Sequence, residues 1–118
     1  MVKFEFINEQ DAKKEMKKIS VHSGGIKVMV PKSKFRIIKL FSVRNAMANI
    51  LKEEMLSLGG EVAKHPGCVN CTVESSDILV MGTIRQLKDL IQKLKKNVSE
   101  CPKIAVIIES ALKQHKDI

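Results

Sequence analysis

Apolar residues recur along the chain with two different periods, and the places where the period changes outline its elements. The first segment, residues 2–7, alternates, with Phe4 and Phe6 on one side, and predicts a strand. Asn8 then caps a weakly amphipathic helix over 9–19, with Asp11 three residues on and Ala12, Met16 and Ile19 on its apolar side. Ser23-Gly24-Gly25 reads as a turn. Ile26, Val28 and Val30 alternate again and predict a second strand, which Pro31 ends or confines to a sheet edge. The run FRIIKLFSV, residues 35–43, is apolar on both sides and predicts a largely buried strand.

The clearest helix covers 45–58, where Met47, Ile50, Leu51, Met55 and Leu58 share one side. Ser42 or Asn45 is placed to cap its start, and Gly59-Gly60 ends it in the manner of a left-handed C-terminal glycine. A short strand follows at 61–64. Another, Ile78 to Met81, ends at Gly82. Thr83 and Gln86 have the spacing of a capping box, in which each side chain satisfies the other residue's backbone N–H. The helix it opens, 84–96, aligns Ile84, Leu87, Ile91 and Leu94, and Lys93, Lys95 and Lys96 sit at its negative end. After a loop at 97–101, Pro102 suits the first turn of a last helix carrying Ile104, Ile107, Ile108, Ala111 and Leu112. Taken alone, the run IAVII in that segment equally fits a strand.

This order predicts an α+β fold: a small mixed β-sheet with amphipathic helices packed on one face, residues 35–96 fitting half of a ferredoxin-like core. With 118 residues, 44% of them hydrophobic, the whole of 1–118 is expected to form a single domain. The opening MVKFEFINEQ lacks the apolar core of a signal peptide, and no apolar run approaches a membrane span, so a cytoplasmic protein that does not enter membranes is expected. Three cysteines without an export signal argue against a disulfide framework.

The net charge of +8 admits nucleic acid as a partner, with lysine clusters at 13–18 and 93–96 as contact points. The detail does not favour it. Aromatic platforms for bases are nearly absent, with four Phe and no Trp or Tyr, and 18 Lys outnumber 3 Arg. The charge reads mainly as a solvated surface.

Two groups of residues are candidates for chemistry. His65, Cys68, Cys71 and Cys101 are of the types that ligate zinc, in the stretch HPGCVNC plus one distant cysteine. Residues three apart on a strand point to opposite faces, so Cys68 and Cys71 meet one metal only across a turn. A redox pair would need a helix after the first cysteine, and TVESSD is not helical in pattern. Small residues entering a strand are the simpler reading. For an anionic ligand such as a pterin or phosphate tail, Gly82, Thr83 and Arg85 sit at a strand end leading into a helix N-terminus, where free N–H groups and positive potential collect. The capping box competes for the same donors. Lys32, Lys34 and Arg36 form a second cationic edge. Glu53 and Glu54 diverge by about 100° on their helix, and no nucleophile–base arrangement is legible, so no catalytic residue and no cofactor are expected. His22 and His115 read as surface residues.

Three segments carry a family resemblance: SGGIKVMVPK (23–32), AMANILKEEMLSLGGEVAKH (46–65) and SSDILVMGTIRQLKDLIQKLKK (75–96). Together they resemble the non-catalytic N-terminal region of a subset of dihydropteroate synthases, and the chain is similar to dihydropteroate synthase-related proteins over roughly residues 15–115. The middle segment, with its helix, double glycine and following alanine, is the most specific. The chemistry of that family belongs to a (β/α)₈ barrel of about 250 residues, and no stretch here resembles the barrel's pterin or phosphate loops. The resemblance therefore implies an accessory domain, a homo-oligomer, that assists a folate- or pterin-pathway enzyme, and carries over no catalytic residue. A basic nucleic-acid-binding module and a binder of a small anion are the alternatives.

Overall fold

The computed structural model describes residues 2–114. Its centre is the sequence β1 (Phe35–Arg44), α3 (Asn45–Ser57), β2 (Glu61–Ala63), β3 (Ser75–Thr83) and α4 (Ile84–Lys95). Two short helices, α1 (Ala12–Lys18) and α2 (Ser23–Met29), precede it, and α5 (Cys101–Gln114) follows. The sheet order is β1-β3-β2, and both neighbouring pairs are antiparallel. β1 and β2 therefore run the same way with β3 between them, which is a split β-α-β unit. The α+β class and the half-core over residues 35–96 are as expected.

One face of this sheet makes the core. Leu40 and Val43 of β1, Val62 of β2, and Ile78 and Val80 of β3 are buried against Met47, Ala48, Leu51 and Met55 of α3 and Leu87, Leu90, Ile91 and Leu94 of α4. Cys101, Ile104, Ala105 and Ile108 of α5 complete the cluster. The last segment is thus a helix, and its run IAVII divides by helical period, with Val106 and Ile107 turned outward.

The turn between α3 and β2 depends on both of its glycines. Gly59 has φ +91°, a conformation that side chains resist. Gly60 is needed for closeness, since a Cβ there would lie 2.5 Å from the Met55 methyl and 2.8 Å from the Met81 carbonyl oxygen. Gly82, across the sheet end, meets the same Met55 methyl. Two glycines thus make room for one buried methionine.

Three elements differ from the expectation. Residues 2–7 form no strand, because no other segment among the described residues pairs with them; Val2, Phe4 and Phe6 are 92%, 86% and 95% exposed. Residues 23–29 are helical, not a turn and a strand. The His22 side chain caps this helix by accepting from Gly24 N–H at 3.1 Å, and Ile26 alone of its apolar residues is buried. A 3₁₀ turn over Val30–Lys32 then takes Pro31 near its start, where the missing N–H costs nothing. β1 is not buried on both sides. It lies at an edge of the sheet, and Phe35, Ile37 and Phe41 are 50%, 61% and 70% exposed.

Candidate functional site

At the N-terminus of α4, the leading anion candidate, the chain itself occupies the Thr83, Ile84 and Gln86 N–H donors. Gln86 N–H donates to Thr83 Oγ1 at 3.1 Å, and Thr83 N–H donates to Gln86 Oε1 at 2.9 Å, closing the capping box. Ile84 N–H donates to the Lys34 carbonyl at 2.9 Å. Gln86 Nε2 continues the network to the Leu58 carbonyl at 3.2 Å, tying the start of α4 to the end of α3. Arg85 pairs with Asp89 one turn along, at 3.2 Å. Gly82 has a packing reason, the contact with Met55. The local signals for a phosphate cradle are accounted for by a cap and a close approach.

The second cationic edge also meets an internal anion. Glu9, just ahead of α1, accepts the Phe35 N–H at 3.2 Å with one carboxylate oxygen and pairs with the Arg36 guanidinium through the other. Its carboxyl is held below the usual range by the Arg36 hydrogen bond first and the Phe35 N–H second. Lys34 adds a weaker pull in the same direction, while Lys32 is exposed at the end of its 3₁₀ turn. Glu9 lies 27 residues from Arg36, and nothing in the local sequence announces the pair.

His65, Cys68, Cys71 and Cys101 do not assemble. His65 Nδ1 accepts from Gly67 N–H at 2.9 Å and so caps the 3₁₀ turn Pro66–Cys68. Cys68 is buried within that turn and Cys71 is exposed beyond it at φ +60°. Cys101 is buried at the start of α5, its sulfur 3.8 Å from that of Met47, and burial pushes its thiol up. Among the described residues, no three His, Cys, Asp or Glu side chains gather closely enough to hold a metal ion. His22 is at the surface, and His115 lies outside the described residues.

What the sequence did not announce is an uncovered apolar surface. On the sheet face away from the helices, the register places Ile37 beside Met81, and Lys39 beside Leu79, with Ala63 of β2 beyond Leu79. Ile37 and Leu79 are exposed there, and Phe35 and Phe41 extend the row along β1. A groove of ≈ 620 Å³ runs beside β1, between Phe35–Lys39 and the end of α5 at Ala111, Leu112 and Gln114. A smaller one of ≈ 320 Å³ continues along it between Leu40–Arg44 and Ile104 and Ile107. The period-2 placement of Phe35 and Ile37 was the available signal; Ile38 and Leu40 on the other face masked it.

The chain matches no family model, no curated protein and no solved structure. Among the described residues, no helix is long and apolar enough to cross a membrane.

Proposed function

We propose that this chain is a non-catalytic accessory domain that docks on a folate- or pterin-pathway enzyme through its open sheet face. The observation that carries this reading is the row Ile37, Leu79, Met81 and Ala63, apolar and contiguous in register, with Ile37, Leu79 and Ala63 exposed and Met81 half-buried. An apolar patch of this kind on a small domain is a common mark of a protein–protein contact. The reading is also supported by the resemblance to the N-terminal region of some dihydropteroate synthases. Two of the segments that carry it, 46–65 and 75–96, coincide with α3–β2 and β3–α4, which share one core with β1. The candidate nucleophiles and acids of the chain are dispersed, so the reading assigns the domain a binding role and leaves the chemistry to its partner. Co-purification with the tagged full chain from its own cells tests it. Retention of a pterin enzyme that is lost on Ile37→Asp supports the proposal, and recovery of no pterin enzyme refutes it.

One observation favours a second reading. Lys13, Lys14, Lys17 and Lys18 of α1 gather with Gln10 around a shallow cleft, although Lys18 is paired with Glu15 at 3.0 Å. Such a cluster suits phosphate contacts of a nucleic acid. That reading predicts binding that falls steeply with salt, and no measurable affinity for DNA or RNA at low salt removes it.

A further inference from the structure

The strand order leaves a position beside β1 without an occupant, and the chain carries a segment suited to it. Phe35 N–H turns away from β3 to meet Glu9, so by the two-residue period the backbone groups of Ile37 and Lys39 face the same outer edge. The two grooves between this edge and α5 are where a further strand would lie, with Ile38, Ala111 and Leu112 lining one and Ile104 and Ile107 the other. Residues 2–7 have the strand pattern, Phe4 and Phe6 alternating with Lys3 and Glu5, yet they project from the body. The rings of Phe4 and Phe6 meet each other edge to face, with centroids 6.0 Å apart.

We propose that residues 2–7 add as a strand to the β1 edge of a second copy of this chain, and that the exchange is reciprocal. Strand addition to an open edge supplies backbone hydrogen bonds, and alternate side chains supply specificity. Phe4 and Phe6 enter the groove against α5, and Lys3 and Glu5 stay on the solvent side. Phe4 and Phe6 stand clear of their own β1 edge, and the area of a reciprocal exchange is what a stable dimer needs. Two phenylalanines bury about 300–500 Å². Matched by the receiving groove and repeated by two-fold symmetry, this becomes roughly 1,200–2,000 Å², the range of a stable specific interface. A single docking event reaches half of that. The exchange also covers an edge that would otherwise invite uncontrolled pairing.

Sedimentation equilibrium of the full chain tests the proposal. The expected species is a dimer, twice the 13.2 kDa chain mass. Phe4→Asp with Phe6→Asp should weaken it on the order of 100-fold and leave the far-UV spectrum unchanged, because neither ring touches the core. A second variant, Glu5→Cys with Lys39→Cys in a Cys71→Ser background, places both thiols on the solvent side and should give a disulfide-linked dimer on oxidation. A monomer up to about 100 μM, a dimer indifferent to the two Asp substitutions, or a cross-link closed within one chain overturns the proposal.

Discussion

Gly82→Ala tests the packing of Met55 against the end of β3. Gly82 is buried and its φ is outside the left-handed region, so alanine suits its backbone. In open space the change would stabilise the fold by about 0.4–1 kcal/mol, through a less flexible unfolded chain. Here the new Cβ lands on the Met55 methyl and 3.0 Å from Gln86 Oε1 of the capping box. Met55 is fully buried and its methyl already rests against Gly60, so it has little room to withdraw. Overpacking of this kind costs about 1–3 kcal/mol, and the net expectation is a loss of about 1–2 kcal/mol. Met55→Ala alone should cost about 2–5 kcal/mol, from lost contacts and the cavity left behind. With Met55 shortened, the alanine at 82 has space, and its effect should become neutral or stabilising. Urea unfolding of the four proteins in this cycle reads the coupling directly. A Gly82→Ala protein more stable than the parent, or one whose cost is the same in both backgrounds within about 0.5 kcal/mol, refutes the packing account.

Other consequences follow from the same contacts. Thr83→Ala removes half of the capping box and should lower stability by about 1 kcal/mol, whereas Thr83→Ser should retain most of it; equal losses in urea unfolding contradict the cap. Glu9 has a lowered pKa, so its contribution is present above the unfolded carboxyl value of about 4.3 and is lost as pH falls through the lower folded value. The protection factor of the Phe35 amide, its exchange rate relative to that of an unstructured amide at the same pH, should therefore fall in acid, and Glu9→Gln should flatten that pH dependence; a protection profile unchanged by the substitution contradicts the pairing. Cys71 should react at once with a thiol reagent, and Cys68 and Cys101 only as the protein opens; three thiols reacting at one rate would place them otherwise.

The helices over 45–58 and 84–96 were legible because period and terminal signals agreed, with Gly59 ending one and Thr83–Gln86 opening the other. Alternation alone was a weaker guide. Residues 2–7 alternate, but a strand requires a partner, and a short pattern cannot supply one. Ile26, Val28 and Val30 alternate within a helix, where His22 and the 3₁₀ turn after Met29 set the backbone. In β1 the apolar residues on both faces suggested burial, while strand order decides which face is covered, and strand order is a long-range property. The candidate sites failed to resolve for a related reason. A glycine, a hydroxyl and an arginine at a helix start serve equally for a cap or an anion, and only the positions of Met55, Gln86, Asp89 and the Lys34 carbonyl separate the two. The Glu9–Arg36 pair joins residues that only the folded chain brings together.

We propose that the open sheet face docks on a pterin-pathway enzyme, and that contact can be measured with purified proteins. A calorimetric titration of the purified full chain into the dihydropteroate synthase of the same cell tests it most directly. Saturable binding is expected, with a dissociation constant in the range of about 0.1–10 μM, weakened at least about tenfold by Ile37→Asp and unchanged by Thr83→Ala. Absence of binding at about 100 μM, or binding that Ile37→Asp leaves intact, would contradict it.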